Sequence, residues 1–195
     1  MTDDAELQGT TPEGSDAELD ALRQAAEGGD RDAMLDLGLR LRAEGEVEEA
    51  ERWLRGAADA GHVRALFPLG ALRFAAGDAE EAERLFTSAA EADDVDGMYN
   101  LGVLLHLRRD LGDAKRWYAR AAETGDVRGV SGLARVAEER GDVEEAARWY
   151  RQGAEAGDAD AMFDLGLLLE RLGEAEEAEV WFARAQAAGH RGERN

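Results

Sequence analysis

The sequence predicts an all-α protein, an alpha-alpha superhelix (solenoid) of five 32-residue helix-turn-helix repeats with an N-terminal half-repeat. Three observations carry that reading. Cutting the chain at Gly29, Gly61, Asp93, Gly125 and Gly157 gives five blocks of 32 residues with no insertion or deletion. Columns recur across the blocks: the ninth is always leucine (Leu37, Leu69, Leu101, Leu133, Leu165) and the twenty-second always alanine (Ala50, Ala82, Ala114, Ala146, Ala178). Each block also holds two helical patterns in succession. A fixed period of this size is the mark of stacked supersecondary units, none of which buries its apolar face alone.

Within a block, the first half places apolar or small residues at i, i+3, i+4 and i+7, as in Met34, Leu37, Gly38 and Leu41, which is one face of an α-helix. Asp30, Asp94, Asp126 and Asp158 stand just before it, where a side-chain oxygen caps free backbone donors. Gly45, Gly77, Gly141 and Gly173 close it, where helices commonly end in a left-handed residue. Block three has Arg109 at that place, so its turn is expected to differ and to run through Asp110 and Gly112. The second half begins with glutamates, EEAERW in block one, which suit the positive end of the helix dipole. Two helices of about 12–14 residues joined by short turns form an antiparallel hairpin.

The tenth column is Gly38, Gly70, Gly102 and Gly166, with Ala134 in block four. With Ala50 and its equivalents it is expected to let backbones approach. All four tryptophans, Trp53, Trp117, Trp149 and Trp181, share the twenty-fifth column, and the next holds Leu54, Phe86, Tyr118, Tyr150 and Phe182. These rings are expected to fill the core. Pro68 falls inside the first helix of block two. Its missing N–H predicts a kink or a late helix start there.

The expected organisation is an acidic disordered tail over 1–15, a half-repeat or capping helix over 16–28, five repeats over 29–188 and a tail over 189–195. Leu22 and the pair Ala25-Ala26 lie 32 residues before Leu54 and Ala57-Ala58, which sets the half-repeat in phase. At the other end, block five has Leu172 where the others have Glu44, Ala76, Arg108 and Arg140, and Val180 where the others have arginine. With Trp181 they predict an apolar C-terminal edge able to dock a partner or a second copy of the chain.

The formal net charge of -21 opposes nucleic acid and anionic membrane surfaces as partners. No stretch has the roughly 18 consecutive apolar residues of a membrane span. The N-terminus lacks the apolar segment of a signal peptide. A soluble cytoplasmic protein is the expectation. There is no cysteine, hence no disulfide or thiolate metal site.

GMYNLGVLL at Gly97–Leu105, VEEAARWYRQGAEAGD at Val143–Asp158 and AMFDLGLLL at Ala161–Leu169 resemble the Sel-like repeat, a relative of the tetratricopeptide repeat. The resemblance covers 29–188, with a period shorter than that of the better-known members. It implies a right-handed superhelix that acts as an adaptor, with the first helix of each pair lining a concave face. It also implies that the fourth, seventh and eleventh columns lie on that face. The fourth reads Asp32, Arg64, Asp96, Arg128, Asp160; the seventh reads Leu35, Phe67, Tyr99, Ser131, Phe163. The alternative for the seventh is packing between repeats, and for the fourth a solvated face of mutual salt bridges. Asn100 matches an asparagine that some relatives use to hold a peptide backbone or carboxylate. The lysine-rich clamp for C-terminal carboxylates has no counterpart in these columns, since Lys115 is the one lysine of the chain.

No catalytic constellation is legible. His62, His106 and His190 are scattered, with no metal-ligand spacing on one helix. The glutamates of the second helices read as a solvated face, and Ser15, Ser88 and Ser131 lack a nucleophile motif. No cofactor and no metal are expected. The reading is a noncatalytic interaction scaffold that holds a basic or amphipathic peptide or helix in its groove. The alternatives are self-assembly through the C-terminal edge and a groove-based small-molecule sensor or hydrolase.

Overall fold

Helices account for most of the described residues. The computed structural model describes residues 12–191, and every regular element among them is helical. The expected tails therefore lie largely outside the described residues, at 1–11 and 192–195. The chain divides into two units, Met1–Leu85 and Phe86–Asn195.

The first unit holds α1 (Pro12–Glu27), α2 (Arg31–Glu44), α3 (Val47–Asp59), a 3-10 turn (Val63–Ala65), α4 (Leu66–Ala75) and the start of α5 (Ala79–Glu91). The half-repeat corresponds to α1, which begins at Pro12 rather than at residue 16. Asp30 caps α2 by accepting from the backbone N–H of Asp32 and Ala33. Gly45 ends it at φ 87°, a conformation that costs a residue with a Cβ roughly 1–2 kcal/mol. The late start forced by Pro68 is realised: the α-helix opens at Leu66, and a 3-10 turn fills the preceding residues. Pro68 thus sits in the first turn of α4, where its missing donor leaves no intrahelical bond unmade.

The second unit continues with α6 (Val95–Leu107), α7 (Leu111–Glu123), α8 (Val127–Arg140), α9 (Val143–Glu155), α10 (Ala159–Arg171) and α11 (Ala175–Ala187). Asp94, Asp126 and Asp158 cap α6, α8 and α10 as their spacing predicts. The turn at Arg109 departs from expectation in the opposite sense. Its geometry is unchanged, because Arg109 itself adopts φ 65°. The bonds Arg109 N–H to His106 O and Asp110 N–H to Leu105 O repeat those of Gly141 and Asp142. The hydrogen bonds of the hairpin outweigh the side-chain strain. Asp93 does the same, at φ 61°, between repeats.

The glycine column works against the twenty-sixth column. A Cβ on Gly38 would lie 2.7 Å from Leu54, on Gly102 2.7 Å from Tyr118 and on Gly166 2.6 Å from Phe182. Leu54, Tyr118 and Tyr150 are essentially fully buried. The tryptophans sit one step outside: Trp53, Trp117 and Trp149 are half-buried, and Trp181 alone is buried. Their indole N–H groups explain the position. Trp53 donates to Glu49, Trp149 to Glu145 and Trp181 to Glu177, four residues back in each case.

Those glutamates are not an idle solvated face. Glu49 pairs with Arg23 of the preceding second helix at 3.2 Å, Glu81 with Arg55 at 2.8 Å, Glu145 with Lys115 at 2.6 Å and Glu177 with Arg151 at 3.0 Å. The hydrogen bonds from Lys115 and then Trp149 hold the Glu145 carboxyl below its ordinary range, and Arg151 and Trp181 do the same for Glu177. One glutamate column therefore ties each second helix to its predecessor within each unit.

Candidate binding groove

In the second unit, α6, α8 and α10 contribute side chains to two adjoining cavities that share Arg135 and Asp164. The first, of about 450 Å³, is bounded by Tyr99, Arg128, Ser131, Asp160, Phe163 and His190. Five of these six come from the fourth and seventh columns. The side chains are held by one another. Arg128 lies over the Tyr99 ring at 4.9 Å and pairs with Asp96 and Asp126 at 2.7 Å each. Ser131 donates to Asp158 at 3.1 Å. His190 stacks on Phe163 at 4.2 Å with its Nδ1 2.7 Å from Asp160. Burial raises the Asp126 carboxyl, but the Arg128 hydrogen bonds prevail and hold it below its ordinary range.

The second cavity, of about 520 Å³, has as its polar lining His106, Arg109, Tyr118, Arg135, Glu138, Glu139, Tyr150 and Asp164. Most of its polar groups are satisfied. Tyr150 donates to Glu138 at 2.9 Å, and Arg171 pairs with the same carboxylate. His106 reaches Glu139 at 2.7 Å, and Arg109 joins it there. The His106 bond holds the Glu139 carboxyl low. Two groups are not satisfied. The Tyr118 hydroxyl is fully buried beside Arg135 without a hydrogen bond of ordinary geometry, and burial pushes it up to about 12. Asp164, half-buried, forms no ion pair with either guanidinium of the cavity, and burial followed by the Glu138 charge pushes its carboxyl upward.

The groove residues expected from the columns fall into three groups. Asp96, Tyr99, Arg128, Asp160 and Phe163 meet in the second unit as described. Asn100 lines neither cavity; its amide donates to the backbone oxygen of Asp96 at 2.8 Å. In the first unit, Leu35 is buried in the core with Leu54 and Leu69, so it offers nothing to a partner. Asp32 faces His62 Nε2 at 3.2 Å, Arg64 is exposed, and Phe67 is half-buried. At the C-terminal edge, Leu172 and Val180 are 48% and 50% exposed. Trp181 is instead buried, held by its bond to Glu177 and covered by Arg184 at 4.7 Å.

Sequence reasoning passed over Arg135, Glu138 and Asp164. Asp164 shares the eighth column with Asn100, and Arg135 lies in the eleventh. The columns were sufficient to find both; which members would be left unpaired was not encoded in them. Among the described residues there is no group of three or more His, Asp or Glu side chains arranged to hold a metal ion. No helix among them is long and apolar enough to cross a membrane.

Antiparallel helical hairpins at a constant period, with first helices lining a grooved surface, define the class of helical-repeat proteins. The chain belongs to the tetratricopeptide repeat family: a family model matches residues 67–128 and 131–191, and a second tetratricopeptide model matches 31–55. No curated protein matches the chain. Among solved structures, it is similar to pilF of Pseudomonas aeruginosa, at 18% identity and TM-score 0.73 over 88% of this chain and 80% of that one. It is similar to a Sel1 repeat protein from Oxalobacter formigenes, at 26% identity and TM-score 0.71 over 88% and 76%. It is also similar to YrrB, described as a tetratricopeptide protein with an unusual peptide-binding site, at 22% identity and TM-score 0.66 over 88% and 93%.

Proposed function

We propose that the protein is a noncatalytic cytoplasmic scaffold that holds a peptide or helix of a partner protein across α6, α8 and α10. The observation that carries this reading is the pair of adjoining cavities along those helices, where half-buried Tyr99 and Phe163 stand beside polar groups left unpaired. Aromatic anchors next to unsatisfied donors and acceptors are what a bound segment covers at favourable free energy. The peptide-binding description of YrrB supports the same reading. The net charge of -21 favours basic or amphipathic partners through steering. The Sel-like character of the repeat is supported by the Oxalobacter neighbour.

Affinity capture from the native host with crosslinking mass spectrometry tests this. Crosslinks are expected on α6, α8 and α10. Crosslinks confined to α7, α9 and α11 would overturn it. A second reading, self-association through the C-terminal edge, is favoured by the exposure of Leu172 and Val180. Light scattering should then show an oligomer that Val180→Arg dissolves; a strict monomer at high concentration excludes it.

A further inference from the structure

We infer that the cavity formed by Tyr118, Glu138 and Asp164 seats one basic side chain, arginine or lysine, of the segment held in the groove. This rests on the groove reading above and adds the chemistry of the guest.

Three carboxylates and two guanidiniums border the cavity, and Arg171 pairs with one of those carboxylates from outside the lining. Glu138 and Glu139 already have partners: Arg171 and the Tyr150 hydroxyl for one, His106 and Arg109 for the other. What remains is Asp164, half-buried and without an ion pair, and the Tyr118 hydroxyl, wholly buried and without a hydrogen bond. Arg135 lies beside both, yet forms no ion pair with Asp164 and no hydrogen bond of ordinary geometry with Tyr118. Buried polar groups left unmade are costly, and a ligand that completes them removes that cost. The Asp164 carboxylate accepts hydrogen bonds, and the Tyr118 hydroxyl accepts or donates one. N–H donors can satisfy both, and next to a partly desolvated carboxylate a charged donor forms the shorter and stronger bond. An acidic guest would set a second negative charge beside half-buried Asp164, whereas Arg135, the one unpaired guanidinium of the lining, is exposed to solvent.

The test titrates the full chain with N-acetyl-arginine amide, N-acetyl-citrulline amide and N-acetyl-glutamate amide, followed by NMR. Arginine amide is expected to give saturable shifts at Asp164 and at the Tyr118 ring, with citrulline at least tenfold weaker and glutamate without effect. Asp164→Asn should weaken the arginine response at least tenfold, and Tyr118→Phe several-fold, in variants whose near-ultraviolet dichroism is unchanged. Equal binding of arginine and citrulline would overturn the inference. Preferential binding of glutamate would also overturn it and assign the cavity to Arg135 as a carboxylate site. Neither result touches the groove reading, which stands or falls on where a partner protein crosslinks.

Discussion

Tyr118 is gripped between two glycines: a Cβ on Gly102 would stand 2.7 Å from its ring, and one on Gly132, from the next repeat, 2.5 Å. The ring is wholly buried and has no direction in which to yield. Gly102→Ala and Gly132→Ala are each expected to cost about 1–3 kcal/mol by overpacking, read as a lower urea midpoint. Gly112→Ala is the control. Its nearest neighbour would be 3.9 Å away, so alanine should stabilise α7 by about 0.5–1 kcal/mol.

Arg109 holds a left-handed backbone that glycine holds in other repeats. Arg109→Gly and Arg109→Ala both lose the ion pair with Glu139. Glycine alone is free of the Cβ clash. The glycine variant should therefore be more stable than the alanine variant by roughly 1–2 kcal/mol in thermal or urea unfolding.

Asp126 and Asp164 should give opposite pH signatures. The Asp126 carboxyl is held low in the fold by Arg128. Its contribution is present above the unfolded carboxylate pKa and is lost as pH falls through the lower folded value. Asp126→Asn should thus destabilise at pH 7 and converge on the parent in acid. The Asp164 carboxyl is pushed up, so its ionised form is a liability that disappears as pH falls through that raised value. Asp164→Asn should be more stable than the parent at pH 7, with the gain vanishing below the ordinary aspartate range. Urea titrations at several pH values check both signs.

The C-terminal edge divides sharply by burial. Trp181 is 7% exposed, and Trp181→Ala should cost about 3–5 kcal/mol. Leu172→Gln and Val180→Gln, at half-exposed sites, should change stability by less than about 0.5 kcal/mol. A large loss from either polar variant would mean that the edge is covered in solution.

Much of this molecule is periodic and was legible for that reason. The aspartate caps, the closing glycines and the late helix at Pro68 each follow from a residue's place in a 32-residue frame, whereas the face carrying Tyr99, Arg128 and Phe163 was implied by the family resemblance. Arg109 misled because sequence reports the cost of a left-handed side chain but not the hairpin bonds that outweigh it. Leu35 stands in a column open to either the groove or packing between repeats, and its surroundings in the first unit bury it.

The sequence by itself determined the repeat and its two helices, because these depend on local periodicity and backbone chemistry. Only the tertiary structure decided the pairings. It set Leu54, Tyr118 and Phe182 into the glycine notches and left the tryptophans at the margin, tied to a glutamate ladder. It gave Glu138 and Glu139 partners and left Asp164 and Tyr118 without them. Pairing and burial depend on distances between side chains of different repeats. Those distances are products of packing, and no column of a single chain records them.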